Sequence, residues 1–401
     1  MNFDLSDAER RFQAELRAWL EKNLPDAWRS EHPKEPWTDE RREIARKWQS
    51  RLAAGRYVAM DWPREHGGRE ATLGERVVLQ AELVRARAPR LIGHVGLDLV
   101  GPALIAHGTA EQKARYLEKM RTAEELWCQG FSEPNAGSDL ASLRTRATLD
   151  GDDYVVSGQK VWTSVAEVAD WCFLLARTEL GEGSPAGADT RAPTKHGTIS
   201  ALLVDMKQPG ITVRPLRQMT GEEEFNEVFF DQVRVPRKLL VGRPGDGWKI
   251  AMGILAHERG PMWTFMFHAV IQENFGHLVG AVKDRRLAGS ALVRQSLAQV
   301  AIEVEIMRLL GCRSLTADER GEELGPRTSL EKLFGSELSQ RVHGLAAELL
   351  GADSLLTPDD PRAPWQGRFE KFFLFSRADT IMGGTSEVQR TVIARQLLGL
   401  R

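Results

Sequence analysis

Cysteine is scarce in this chain: Cys128, Cys172 and Cys312 stand far apart in 401 residues. An odd, scattered set makes neither a disulfide framework nor a thiolate metal cluster. Buried free thiols in a reducing compartment are the expectation. Long apolar runs are missing as well, so no segment is expected to span a bilayer. Met1-Asn2-Phe3-Asp4-Leu5-Ser6 leads into charged residues and offers no apolar core for a signal peptide. Neither sign of charge dominates. With 54 Lys and Arg against 56 Asp and Glu, the formal net charge is −2. No global field then favours nucleic acid or an anionic membrane. The nine histidines show no HExxH-type spacing, and no Ser-His-Asp arrangement can be defended. These absences point away from metal and hydrolase chemistry and towards a cytoplasmic globular protein.

What remains is ordinary in bulk and distinctive in places. Hydrophobic residues make up 42% and charged residues 27%, and the length accommodates two or three domains. Residues 1–124 read as helical. Phe12, Leu16, Trp19 and Leu20 recur at helical spacing after Ser6, a plausible N-cap, and Pro25 ends the run. Thr109 with Gln112 three residues on has the form of a capping box. Residues 125–240 change to strand patterns: Tyr154–Val156, Trp171–Ala176, Ile199–Val204, Ile211–Val213 and Val228–Val235. Short strands with Gly/Asp turns suggest an antiparallel barrel or sandwich. Gly181–Gly197 reads as a hairpin loop, and Pro358–Gly367 as a loop or disordered segment. Helical patterns return over 241–401.

The most informative stretch is Trp127-Cys128-Gln129-Gly130-Phe131-Ser132-Glu133-Pro134-Asn135-Ala136-Gly137-Ser138-Asp139. Pro, Gly and short polar residues together predict neither a regular helix nor a paired strand. Sharp turns of this kind leave N–H groups and hydroxyls free for a polar ligand. Three more segments follow in order: Lys160-Val161-Trp162-Thr163-Ser164, then Glu258-Arg259, then Gly383-Gly384-Thr385-Ser386-Glu387-Val388-Gln389-Arg390. In that order and spacing the chain resembles the acyl-CoA dehydrogenase family of flavoenzymes, from about residue 3 to residue 400.

The resemblance implies an α+β multidomain fold. Its parts are an α-helical N-terminal domain (1–124), a central antiparallel β-barrel (125–240) and a C-terminal four-helix bundle (241–401). It implies FAD as cofactor and removal of two hydrogens from an acyl-CoA thioester, giving the trans-2-enoyl-CoA. A carboxylate takes the α-proton and flavin N5 the β-hydride. Carried over residue by residue, Phe131, Ser132, Gly137 and Ser138 contact flavin or the CoA arm. Trp162 packs against the flavin ring, and the Thr163 hydroxyl reaches its polar edge. Arg285 in Asp284–Gly289 matches the Arg that holds the FAD pyrophosphate, although Ala288 replaces a usual Phe. Thr385 and Glu387 belong to the turn that the family places on FAD, with Thr385 also a natural N-cap. Glu348 stands where Gln is more usual in a segment that touches a partner's cofactor.

The base departs from the commonest pattern. Many members carry Glu directly before Gly-Thr in the last motif, where this chain has Gly383. A minority branch keeps its Glu on the first helix of the C-terminal domain. Glu258 matches that position, and Arg259 beside it matches a residue for a CoA phosphate or for the carboxylate itself. Pro261 is expected to kink the helix beside Glu258. The resemblance further implies a tetramer or dimer, fatty-acyl β-oxidation, and electron-transfer flavoprotein as electron acceptor. Two other readings stay open. The chain is one subunit of a mixed tetramer without full activity alone, or it is a flavin oxidase or monooxygenase of the same fold.

Overall fold

The computed structural model describes residues 5–29, 37–178, 195–258, 261–322 and 324–400, with the backbone alone at 256–258 and 261. The hairpin loop expected over Gly181–Gly197 falls mostly outside these residues, as does Arg259. The chain divides into two compact units: residues 16–72 with 82–258, and residues 1–15, 73–81 and 259–401.

Helices come first along the chain. The chain runs through α1 (Asp7–Asn23), α2 (Asp39–Ala54), α3 (Leu73–Arg85), α4 (Gly101–His107) and α5 (Ala110–Arg121). Their ends obey local chemistry. Ser6 and Glu9 cap α1 reciprocally, with the Ser6 N–H donating to Glu9 at 2.6 Å and the Glu9 N–H to the Ser6 hydroxyl at 3.2 Å. Thr109 and Gln112 form the expected capping box on α5. Ahead of α4, residues Gly96–Val100 are wound as a π-turn.

The strands are β1 (Trp127–Gly130), β2 (Arg146–Asp150), β3 (Asp153–Ser164), β4 (Trp171–Thr178), β5 (Ile199–Asp205), β6 (Ile211–Leu216), β7 (Phe225–Pro236) and β8 (Leu240–Val241). They form one sheet in the order β6-β7-β3-β2-β4-β5-β8, with β1 attached to β4. Two details depart from an antiparallel barrel. The order runs open from β6 to β8, and β4 pairs parallel with both β1 and β2. Parallel pairing is set by which distant strands meet, and no local pattern encodes it. A second correction concerns the motif stretch. Trp127–Gly130 is a paired strand after all, with Cys128 opposite Cys172. Turn-forming residues begin only at Ser132, so the four residues before them were free to pair.

Helix α6 (Gly247–Glu258) closes this unit. Its Ile250, Ala251 and Ile254 enter a buried cluster with Val95, Val100, Trp127, Phe131 and Leu140. The other unit carries α7 (Pro261–Asp284), α8 (Ala291–Glu319), α9 (Arg327–Leu350), α10 (Arg368–Asp379) and α11 (Ser386–Val392). Helices α7 to α10 pack on one another as a bundle. The kink expected beside Glu258 falls on residues outside those described: α6 is followed as far as Glu258 and α7 from Pro261. Among the described residues, no helix is long and apolar enough to cross a membrane.

Candidate active site

The two central motifs are tied to each other by backbone. The Val161 N–H donates to the Ser132 carbonyl at 2.9 Å. The Lys160 ammonium, buried completely, donates to the Phe131 carbonyl at 3.0 Å and to Glu133 at 2.8 Å. Glu133 in turn accepts from the backbone N–H groups of Arg144 at 2.6 Å and Thr145 at 2.8 Å. One buried ion pair therefore fixes both ends of the turn 133–145 against β3. Burial opposes the charge on Glu133, but Lys160 and the hydrogen bonds from Lys160 and Thr145 outweigh it and hold the carboxyl below its usual range. Burial, partly offset by Glu133, pulls Lys160 down to about 8, so it still carries its charge at neutral pH. Sequence reading missed this pair, because 27 residues separate its members and no periodicity links them.

Within β3 the register against β7 slips between Lys160 and Thr163. One extra residue on β3 makes a bulge. Trp162 lies in it at φ 59°, in the left-handed region, with 60% of its surface exposed. A left-handed conformation costs a non-glycine residue about 1–2 kcal/mol. The result is a large indole turned outward, with the Phe225 ring edge-on to it at 6.0 Å. Beside it Thr163 is fully buried, and its hydroxyl has no hydrogen-bond partner. A buried hydroxyl left unpaired costs about 1–3 kcal/mol. Strain and an orphaned polar atom at adjacent residues are what a ligand site leaves behind when described without its ligand. An aromatic face beside an unsatisfied hydroxyl fits the polar, flat ring of a flavin.

The other expected residues of this loop divide. The Ser132 side chain is half-buried, and Gly137 and Ser138 are exposed, with nothing near the place a Gly137 side chain would occupy. Phe131 is different. Its ring is 6% exposed and packs 6.2 Å from Phe173, so only its backbone is available to a ligand. Asp139 is held by Lys195 at 2.7 Å and by the Ser142 hydroxyl, which keep its pKa low. The Arg177 guanidinium, also unforeseen, donates to the carbonyls of Ala141 at 2.5 Å and Leu143 at 2.8 Å and pins the far end of the loop.

Glu258 lies on α6, four residues beyond Ile254, which joins the cluster containing Phe131. In the other unit, Gly383 and Gly384 have φ of 64° and 93°. A glutamate at Gly383 would have to adopt the left-handed region, so this turn is built for glycine here. Thr385 does cap α11, accepting from the Val388 N–H at 3.2 Å. The Ser386 hydroxyl next to it is buried and unpartnered. Thr385, Ser386 and Glu387 line an open hollow of about 600 Å³ with Arg341, Arg377 and Arg390. Glu337 lines it too and pairs with Arg390 at 2.5 Å, while Arg341 pairs with Glu303 at 2.7 Å.

Arg285 does not stand free for a phosphate. Its guanidinium is paired with Asp353 at 2.8 Å. Ala288, which replaces the usual Phe, lies partly buried against the core with Leu278 and Phe369. Glu348 is exposed.

Comparison with known proteins bears on the same residues. The family models for the acyl-CoA dehydrogenase N-terminal, middle and C-terminal domains match residues 6–124, 128–233 and 245–398. Acyl-CoA dehydrogenase IpdE1 of Mycobacterium tuberculosis is 40% identical over 405 residues, covering 99% of this chain and 98% of that protein. IpdE1 of Mycolicibacterium smegmatis is 39% identical over 408 residues, covering 97% of each. Among solved structures, the ChsE4-ChsE5 complex of M. tuberculosis superposes with TM-score 0.82 at 30% identity over the whole of both chains. The Tcur3481-Tcur3483 steroid ACAD gives TM-score 0.81 at 30% identity, again over both chains in full.

Proposed function

This chain belongs to the acyl-CoA dehydrogenase family, and on that footing we propose that it oxidises the α,β-bond of an acyl-CoA thioester with FAD. The observation that carries the reading is the outward, strained Trp162 beside the orphaned Thr163 hydroxyl, hydrogen-bonded through Val161 to the Ser132 loop. FAD, when bound, supplies the acceptor for the hydride that leaves the β-carbon. Trp162 offers the isoalloxazine a face to stack on, and Thr163 and Ser132 offer hydroxyls to its polar edge. Thr385 and Glu387 serve the FAD, as the family reading places them. Gly137, Ser138 and Arg259 are left for the CoA arm. Glu258 takes the α-proton. Gly383 cannot, having no side chain.

The substrate we propose carries a ring system, since the Tcur3481-Tcur3483 relative is a steroid ACAD by description. The assembly we propose is a tetramer with a related chain. The ChsE4-ChsE5 neighbour is, by its description, a complex of two named chains. Here Arg285 is already engaged by Asp353, which weakens this chain's own claim on a pyrophosphate. Electron-transfer flavoprotein is the acceptor the family reading supplies.

Two measurements test this. Purified with its partner chain, the protein is expected to be yellow, and its flavin to bleach when ring-bearing acyl-CoA thioesters are added without oxygen. No flavin in any assembly state, or no bleaching with any acyl-CoA, ends the reading. Light scattering of the chain alone and co-expressed separates a homotetramer from a mixed one. A reduced flavin that reoxidises within milliseconds in air favours the oxidase alternative.

A further inference from the structure

Across the sheet from the orphaned Thr163 hydroxyl lies a second orphaned atom. Thr163 on β3 stands directly opposite Asn226 on β7. Directly opposed residues of an antiparallel pair put their side chains on one face, with β-carbons about 5 Å apart. Both residues are fully buried. The Thr163 hydroxyl has no hydrogen-bond partner, and neither has the Asn226 amide oxygen. Buried polar atoms are nearly always paired, so two orphans at one register position call for a shared partner.

The other contacts of the Asn226 amide fix which of its ends is unpaired. Its Nδ2 group donates to the Thr163 carbonyl at 3.1 Å and to the Glu167 carboxylate at 2.7 Å. Both partners are acceptors, so the nitrogen must lie on that side. Glu167 is itself held by Arg42 of α2 at 3.1 Å. A chain of contacts from α2 through Glu167 thus orients the amide and leaves its oxygen as the unpaired end. The same residue pair closes the bulge that carries Trp162, because the register of β3 against β7 resumes at Thr163 and Asn226.

Resting on the FAD part of the proposed function, we propose that Asn226 binds the flavin, its amide oxygen accepting a hydrogen bond from an N–H of the isoalloxazine ring. The chemistry follows from the two unpaired atoms. A hydroxyl can donate or accept, whereas an amide oxygen only accepts. Together they match a ligand edge that carries an acceptor and a donor. An acyl chain offers neither. The polar edge of the isoalloxazine offers both: an N3–H beside carbonyl oxygens in either redox state and, once the hydride has been taken up, an N–H at N5. With the first, Asn226 holds the cofactor equally in both states. With the second, it favours the reduced form.

The test uses the assembled protein, freed of flavin and reloaded with FAD, with 3-methyl-FAD, which lacks the N3–H, or with 5-deaza-FAD, whose reduced ring has no N–H at position 5. Fluorescence titration gives dissociation constants in both redox states without turnover. The wild type is expected to bind one analogue about tenfold less tightly than FAD, the scale of one buried hydrogen bond. That analogue is 3-methyl-FAD in both states for an N3–H contact, and 5-deaza-FAD in the reduced state for an N5–H contact. Asn226→Ala is expected to remove the discrimination and to bind FAD itself about tenfold more weakly. For the N5–H contact its flavin midpoint potential also falls by about 30 mV, which is tenfold at two electrons. For the N3–H contact the potential stays. Asn226→Ser, which shortens the side chain but keeps it polar, is read in the same way if the alanine variant does not fold. Equal affinity of the wild type for FAD and both analogues, or discrimination that the variant retains, overturns the proposal and assigns the two orphaned atoms to a buried water. Protein that binds no flavin in any assembly state overturns this inference and the FAD reading together. Flavin that discriminates as expected, yet is bleached by no acyl-CoA, leaves this inference standing while the dehydrogenase reading fails.

Discussion

Flavin reduction in a Glu258→Gln protein is expected to be about two to four orders of magnitude slower than in the wild type, the usual scale for a lost general base. Gln keeps the size and hydrogen-bonding capacity of Glu and removes only the proton acceptor, so acyl-CoA binding should persist. The argument rests on a substitution visible in the chain and on a backbone angle. Gly383 occupies the usual base position, and its φ of 64° belongs to a turn that accepts glycine readily. A Gly383→Glu change in the Glu258→Gln background would place a β-carbon in the left-handed region at a cost of about 1–2 kcal/mol. Recovery from it should be slight. In this pocket, desolvation by an acyl chain should raise the pKa of the base and bring it closer to that of the carbon acid. Anaerobic stopped-flow at 450 nm, with calorimetry for thioester affinity, measures both halves of the expectation. A Glu258→Gln protein that bleaches at the wild-type rate places the base elsewhere, in this chain or in its partner.

The helical, strand, helical order was legible because each third of the chain has its own periodicity. Ser6, Pro25 and Thr109 marked helix ends correctly, since caps and prolines act through neighbours three or four residues away. β1 was hidden inside a stretch whose later residues forbid regular structure. The parallel pairing of β4 with β1 and β2 depends on strands that meet across 40 residues or fewer of intervening chain, and alternation says nothing of direction. Motif position singled out Trp162 and Thr163 as candidates, but not the bulge that leaves one exposed and the other buried. Arg285 shows the opposite case. The motif named it as a phosphate ligand, and the fold gave it Asp353, a carboxylate 68 residues away.

The second large effect is expected at Lys160, which touches no substrate in any reading offered above. Lys160→Met removes a fully buried cation and leaves Glu133, 8% exposed, without its counter-charge. Breaking a buried pair from one side costs about 3–5 kcal/mol, more than the pair itself contributes, because the remaining charge is stranded. Two further hydrogen bonds ride on the same carboxylate, those from Arg144 and Thr145. The turn from Glu133 to Thr145 should therefore loosen, and with it the Ser132 carbonyl that accepts from Val161 beside Trp162. The expected result is a denaturation midpoint lowered by several degrees and a weakened hold on FAD, with Glu258 untouched. Acid should produce a milder version. Because Glu133 has a folded-state pKa below its ordinary 4.5, its contribution to stability is complete above that value. It is then lost as pH falls through the lower, folded value. In Lys160→Met the pairing that depresses this pKa is gone, so the acid limb should shift to higher pH. A Glu133→Leu, Lys160→Met double variant strands no charge. It should recover part of the stability, though not the two backbone hydrogen bonds. Chemical denaturation of the four proteins across pH 4 to 8 reads the coupling directly. Additive losses from the two single changes would mean that the pair does not act as the tether, and that the motif loop is held against β3 by packing alone.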